Sequence, residues 1–297
     1  MPGIAYKPVN RRNFLTTTAK FAGFATLVSP LDLVARKGPD FHHLALISDT
    51  HIPADENESY RDFFPTKNFR KIVGEVVSAK PEASIINGDL ARLTGEKTDY
   101  QKLSDILKPI SNEHPVLMTL GNHDDRNNFH EAFEPDQDSQ PELKNKHTLV
   151  YELPLIRIIL LDSLMYVNKV PGFLGQEQRE WLSNHLNNSS NKPTFIFVHH
   201  TLTESDGSLL DYHRFFKIVL PYKKVKAVFH GHDHVYAFEK TEDLHVIGLP
   251  AVGYNFSDDQ PVGWLDAKFS KKVGEFTLRA IHGNLGENGK SVQIAWR

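Results

Sequence analysis

Five short apolar runs in this chain each end in residues that can hold a metal ion. Ser48-Asp49-Thr50-His51 follows the run Leu44 to Ile47, and Asn87-Gly88-Asp89 follows Ala83 to Ile86. Gly121-Asn122-His123-Asp124 comes after Val116 to Met118, and His199-His200 after Thr194 to Val198. The fifth, Val225 to Phe229, runs into His230-Gly231-His232-Asp233-His234. Carboxylate, imidazole and amide donors without sulfur suit borderline ions such as manganese, iron or zinc. Asp49 and His51 are two residues apart, as are His232 and His234, so extended backbone would project each pair to one side. The set Asp49, His51, Asp89, Asn122, His199, His232 and His234 is too large for one tetrahedral ion. It suits two ions that share a bridging carboxylate.

The apolar runs that carry these residues read as strands buried on both faces. Between the first two lies the stripe Phe69, Ile72, Val73, Val76 and Val77, spaced as one face of a helix. Tyr100, Leu103, Ile106 and Leu107 form a second helical stripe, which Pro109 is expected to halt. Ile156 to Leu161 reads as a further strand, and Gln176 to Leu186 and Leu209 to Leu220 as helices. The last fifty residues change character: Leu244–Leu249, Val262–Phe269, Glu275–Ile281 and Val292–Trp296 look like strands without helices between them. An α/β chain that closes in antiparallel strands predicts two packed sheets flanked by helices. In open α/β sheets, ligands bind where strands end and loops begin, and all five donor groups stand at such places. The glycines at 88, 121 and 231 allow the tight turns that bring these loops together.

Composition narrows the rest. The 297 residues carry a formal net charge of −3 and no cysteine, which removes disulfides, thiolate ligands and cysteine nucleophiles. A nucleic acid partner is not expected from that balance, because no basic stripe is present. Sixteen histidines stand out, and their clustering at strand ends is the strongest signal in the chain. Residues 1–40 form a separate segment: Arg11-Arg12-Asn13-Phe14-Leu15, then a mildly apolar stretch from Phe21 to Val28. That stretch is too short for a membrane span, which needs about 20 residues. A charged start, short apolar centre and polar exit make a signal peptide, and the paired arginines followed by Phe-Leu resemble a twin-arginine export signal. The expectation is therefore a signal segment over 1–40, a catalytic domain over 41–297, and a periplasmic or exported protein that uses the twin-arginine machinery. A cytoplasmic protein with an N-terminal amphipathic helix is the alternative.

The ordered set D-x-H, G-D, G-N-H-D, H, G-H-x-H, spread from Asp49 to His234, resembles the calcineurin-like metallophosphoesterase superfamily. The resemblance implies a four-layer αββα sandwich of two mixed sheets flanked by helices. It also implies that Asp49, His51 and His234 hold one ion, that Asn122, His199 and His232 hold another, and that Asp89 bridges them. Phosphate esters would be the substrates, cleaved by a metal-bridging hydroxide. His123, beside the ligand Asn122, is then the candidate proton donor to the leaving alkoxide, with Asp124 as the partner that orients its ring. A narrower stretch resembles the class III cyclic-nucleotide phosphodiesterases: Gly121 to Arg126, Leu161-Asp162-Ser163, Pro171-Gly172 and a helix with Trp181-Leu182. Purple acid phosphatases place a tyrosine three residues after the G-D aspartate, where this chain has Arg92.

These readings point to a phosphodiesterase acting on a small diester, a cyclic nucleotide or a glycerophosphodiester. A phosphomonoesterase on the same site is the alternative, and a non-catalytic metal-bound module the alternative from another class. Arg126 is open between a phosphate contact and a salt bridge, and His200 between a polar group of the site and a structural role. His230 is expected to face away from the metals.

Overall fold

The computed structural model describes residues 40–133 and 142–297. The twin-arginine-type segment therefore lies, apart from Asp40, outside the described residues. Two six-stranded sheets make up the centre. The first runs β12(Ser291–Ala295), β11(Val273–Gly283), β10(Pro261–Phe269), β1(His42–Ile47), β2(Ala83–Asn87), β3(Val116–Thr119). The second runs β4(Leu149–Glu152), β5(Arg157–Leu161), β6(Thr194–Val198), β7(Val225–His230), β9(Leu244–Gly248), β8(Ala237–Thr241). Strands β1, β2 and β3 are parallel, as are β5, β6, β7 and β9, while β10–β12, β4 and β8 pair antiparallel at the flanks. Both sheets are thus mixed.

Alternation along the strands builds three cores, because successive side chains leave a strand on opposite faces. Leu44 and Leu46 of β1 pack between the sheets against Phe195, Phe197 and Phe229. Their neighbours Ala45 and Ile47 face outward into a second core with Phe69, Ile72, Tyr100 and Leu103. Ile196 and Val198 of β6 face the other way, onto Leu182, Leu186 and Phe215. Helices α1(Pro65–Ala79) and α2(Lys97–Ser111) thus cover one sheet, and α4(Gln176–Asn188) and α5(Tyr212–Val219) cover the other. This is the expected four-layer αββα arrangement. Full burial of a single Leu or Phe contributes about 1.5–3 kcal/mol, so the layers are held mainly by these three apolar seams.

One local expectation needs correction, and three elements were not foreseen. Helix α2 does not stop at Pro109 but continues to Ser111, with Pro109 in its last turn. So near the C-terminus the ring disturbs little, and Ile110 still reaches the core. Strands β4 and β8 and the short helix α3(Arg126–Ala132) escaped the pattern reading. Burial explains why: β4 and β8 are sheet edges with half-exposed residues and therefore lack a continuous apolar run.

Candidate metal centre

Parallel pairing sets the carboxyl ends of β1, β2 and β3 side by side in one sheet, and those of β5, β6, β7 and β9 in the other. The two rows of strand ends meet at one edge of the sandwich. Backbone bonds lock the loops that leave them: Asp49 N–H donates to Gly88 C=O at 3.1 Å, His51 N–H to Asp89 C=O at 2.9 Å, and Gly231 N–H to His199 C=O at 2.9 Å. All seven expected ligands converge there. The extended-backbone argument for the two-residue spacing fails, however. Asp49 and His51 have φ of 53° and 46°, and His232 and His234 have 74° and 56°, with Asp89 at 46°. These are left-handed conformations, which Asp and His tolerate better than branched residues do. Each costs of order 1–3 kcal/mol and persists only where the surroundings impose it. Close approach also excludes side chains at two glycines. A Cβ on Gly231 would run into the Asp49 carboxylate and Ser48 Oγ, and one on Gly121 into Asp89 Oδ1 and His199 Nε2.

Within the site, Asp49, His51 and His234 form one cluster, their ligand atoms within 4.8 Å of one another. Asp89, His199 and His232 form a second under the same limit. Asp89 belongs to both neighbourhoods, with Oδ2 3.7 Å from His51 Nε2 and 3.3 Å from His199 Nε2. The outer nitrogens are tied down. His199 Nδ1 lies 3.0 Å from Asn87 C=O and His232 Nε2 lies 2.9 Å from Gly207 C=O. Each tie selects the tautomer that leaves the other nitrogen free as a ligand.

Several atoms here lack the hydrogen bonds that burial demands. Asn122 Oδ1 and His199 Nε2 are buried without a partner. His199 Nε2 approaches Asp89 Oδ2 without an aligned bond, and His51 Nε2 faces His234 Nε2 at 3.2 Å. Unpaired donors converging at contact distance are the arrangement of ligands around shared cations. The residues therefore fit a pair of metal ions, with Asp89 between the two clusters and the unpartnered amide oxygen of Asn122 lining the same cavity.

Charge balance points the same way. Burial by itself would raise the Asp49 carboxyl, but His234 and His199 outweigh it and hold it at about 2. Burial likewise works against ionised Asp89, and His199 overcomes it, keeping that carboxyl well below its usual range. Burial opposes a proton on His199 as well, yet Asp89 and Asp49 together raise its pKa to about 10. His51 and His232 are drawn down by burial, to about 3 and about 4. Asp49 and Asp89 are thus ionised and His51 and His232 neutral, as cation binding requires, while His199, held protonated by the two carboxylates, would have to release that proton as a cation takes its place.

His123 is half-buried at the edge of the cluster. Its backbone N–H donates to Asp89 Oδ1 at 2.9 Å, and its Nδ1 lies 2.8 Å from Leu93 C=O. That leaves Nε2 for the cavity, which measures about 340 Å³ and is floored by His51, Asp89, Asn122, His232 and His234. Asp124 does not orient the His123 ring, contrary to expectation. Its carboxylate accepts from the backbone N–H groups of Leu90, Ala91 and Gly121 and from the Tyr100 hydroxyl. It thereby clamps the Asp89 loop to the Asn122 loop. Burial, followed by the charge of Asp89, pushes its carboxyl up to about 6.

Arg126 makes the salt bridge: its Nε and Nη2 reach Asp162 at 2.6 and 2.9 Å. His200 bonds Ser163 Oγ at 2.7 Å, with its ring against His232 at 4.6 Å between centroids, so it backs the ligand. His230 belongs to neither ligand cluster, and its Nδ1 lies 3.2 Å from Gly231 C=O. Arg92, where purple acid phosphatases carry tyrosine, pairs with Glu58 at 2.6 Å. Sequence reasoning missed the loop between β9 and β10. There Tyr254 stacks on His51 at 4.7 Å and Phe256 on His234 at 4.3 Å. Val170, Asp233 and Phe256 complete the cavity wall. No motif marked Tyr254 or Phe256, whose one distinguishing feature is a three-dimensional neighbour.

A two-sheet sandwich with this cluster at its strand ends defines a metallophosphoesterase, a hydrolase of phosphoric esters. The chain belongs to the calcineurin-like phosphoesterase family, whose model matches residues 42–236. Among curated proteins it is similar to a probable cyclic nucleotide phosphodiesterase of Ruthia magnifica, 27% identical over 75% of this chain and 91% of that one. It is also similar to the glycerophosphodiester phosphodiesterase GpdQ of Enterobacter lignolyticus, 25% identical over 73% of this chain and 81% of the other. Among solved structures, a dimetal phosphatase from Danio rerio superposes with a TM-score of 0.68 at 13% identity, covering 87% of this chain and 100% of that one. At that identity the likeness speaks for the fold. No helix among the described residues is long and apolar enough to cross a membrane.

Proposed function

We propose that this chain is a dinuclear phosphodiesterase for small diesters. The observation that carries the reading is Asp89, whose carboxylate stands between His51 at 3.7 Å and His199 at 3.3 Å and so joins two ligand clusters into one centre. Asp49, His51 and His234 would hold one ion and Asn122, His199 and His232 the other. Manganese, iron and zinc all suit these donors. Bound there, such a pair neutralises phosphate charge and makes water acidic enough to serve as nucleophile near neutral pH.

The chain's own residues do the rest. The five-residue floor of the cavity fixes the phosphate beside His123. In its protonated form His123 donates Nδ1–H to Leu93 C=O and presents Nε2–H to the cavity, where it can protonate a departing alkoxide. Asp124 keeps the Asn122–His123 turn in register with Asp89 through its three backbone bonds. The relatives named above as cyclic-nucleotide and glycerophosphodiester phosphodiesterases support diesters over monoesters. The paired Arg11-Arg12 ahead of Phe14-Leu15 supports export by the twin-arginine route, which carries folded proteins.

The test is protein reconstituted with manganese and assayed on bis-(p-nitrophenyl) phosphate and on p-nitrophenyl phosphate. Preference for the diester, abolished in Asp89→Ala together with bound metal, is the expected result. Preference for the monoester moves the reading to a phosphomonoesterase on the same ligands. For the export segment, Arg11→Lys with Arg12→Lys should retain the protein in the cytoplasm, and unchanged export overturns that part.

A further inference from the structure

Phe256 stands in the cavity wall with 49% of its surface exposed, although an aromatic side chain of this size is normally covered. Its ring lies nearly parallel to that of the ligand His234, at 4.3 Å and 18°. The same loop buries Tyr254 under His51, so the backbone around Phe256 is anchored while its ring is left open. Val170, 55% exposed, also lines the cavity, on the side of the second cluster. It lies against Gly207, whose carbonyl holds His232. Thus the polar floor that takes the phosphate is flanked by one exposed aromatic side chain, one exposed branched aliphatic and the exposed carboxylate of Asp233.

We infer that Phe256 and Val170 form the subsite for the organic arm of the substrate, and that this arm carries a flat ring, as in a nucleoside phosphodiester. The inference rests on the phosphodiesterase reading and sharpens it by choosing between its candidate substrates. A glycerol arm could hydrogen-bond to the exposed Asp233 carboxylate, but Phe256 and Val170 beside it present carbon, which a flat ring covers and a glycerol does not. A quaternary ammonium arm would need a cage of aromatic faces. Here a single exposed ring stands beside a centre built for cations, which repel such an arm. A ring laid on Phe256 keeps the offset stacking that makes base–aromatic contacts tolerant of base identity. A cavity of about 340 Å³ is at the small end of ligand sites and takes a phosphate with one ring-bearing arm.

The experiment compares two diesters with the same scissile bond and reporter, thymidine 5′-(methyl phosphate) and dimethyl phosphate, both read by released methanol, only the first of which carries a flat ring. The readout is the ratio of their kcat/KM values, with bound metal measured in every variant. Wild-type enzyme should favour the nucleoside ester by about tenfold or more, the contribution of one base–aromatic stack. Phe256→Ala should bring the ratio close to one, and Phe256→Trp should restore it. A wild-type ratio near one, a ratio unchanged in Phe256→Ala, or faster turnover of glycerophosphocholine than of the nucleoside ester overturns the inference while the diesterase reading stands. If neither diester is hydrolysed but p-nitrophenyl phosphate is, the diesterase reading itself has failed.

Discussion

The Tyr100 hydroxyl donates a hydrogen bond to the Asp124 carboxylate at 3.0 Å, linking the first turn of α2 to the loop that carries Asn122 and His123. The same oxygen accepts from the Asp125 N–H at 2.9 Å. Tyr100→Phe would remove one of the three donors to Asp124 Oδ1 and leave the Asp125 N–H without its acceptor. Hydrogen bonds to charged groups contribute about 1.5–3 kcal/mol, and a loss of that size is expected in urea unfolding of the metal-free protein. Weaker metal retention on dialysis should accompany it, because the Asn122 loop loses its support. A variant as stable as wild type would show the tie to be dispensable.

Gly121 and Gly74 offer a paired comparison. A Cβ at Gly121 would overlap Asp89 Oδ1 and His199 Nε2, whereas one at Gly74, inside α1, meets nothing within 4 Å. Gly121→Ala should therefore lose bound metal and activity while keeping its circular dichroism spectrum. Gly74→Ala should retain both and gain up to about 1 kcal/mol in stability from helix propensity. Equal metal content in the two variants would contradict the crowding argument.

His123 should matter in proportion to how badly the leaving group needs a proton. With an alkyl diester, His123→Ala is expected to reduce kcat by about 10²–10⁴-fold. With a p-nitrophenyl ester the loss should be far smaller, since nitrophenolate departs unprotonated. Similar losses on both would assign His123 to phosphate binding instead.

Asp266 gives an acid dependence far from the metal centre. Its hydrogen bond from His43 at 2.7 Å and a further one from Arg279 at 2.8 Å outweigh burial and hold its carboxyl at about 2. A carboxyl depressed below its unfolded value of 3.8 stabilises fully above that pH, and the contribution disappears as pH falls from about 4 to about 2. The melting temperature of Asp266→Asn should lie below wild type at pH 6, and the gap should narrow by pH 3. A gap that stays constant would remove Asp266 from the acid response.

By itself the sequence determined the candidate ligands and the layers. Asp49, Asp89, Asn122, His199 and His232 each follow an apolar run, and a buried strand has to end before a polar ligand can begin. Continuous apolar runs also sufficed to place β1, β2, β5 and β6 between helices, because a strand buried on both faces needs apolar residues at every position. Only the tertiary structure decided which groups meet across long separations. Asp124 stands next to His123 in the chain but spends its oxygens on Leu90, Ala91, Gly121 and Tyr100. The left-handed turns at Asp49, His51, His232 and His234 follow from loop closure between strands, which a two-residue spacing cannot express. Phe256 and His234 are 22 positions apart and touch because β9 and β10, neighbours in sequence, belong to different sheets. The loop joining those strands must cross the strand ends, and that crossing carries an aromatic wall to a site that no local pattern predicts.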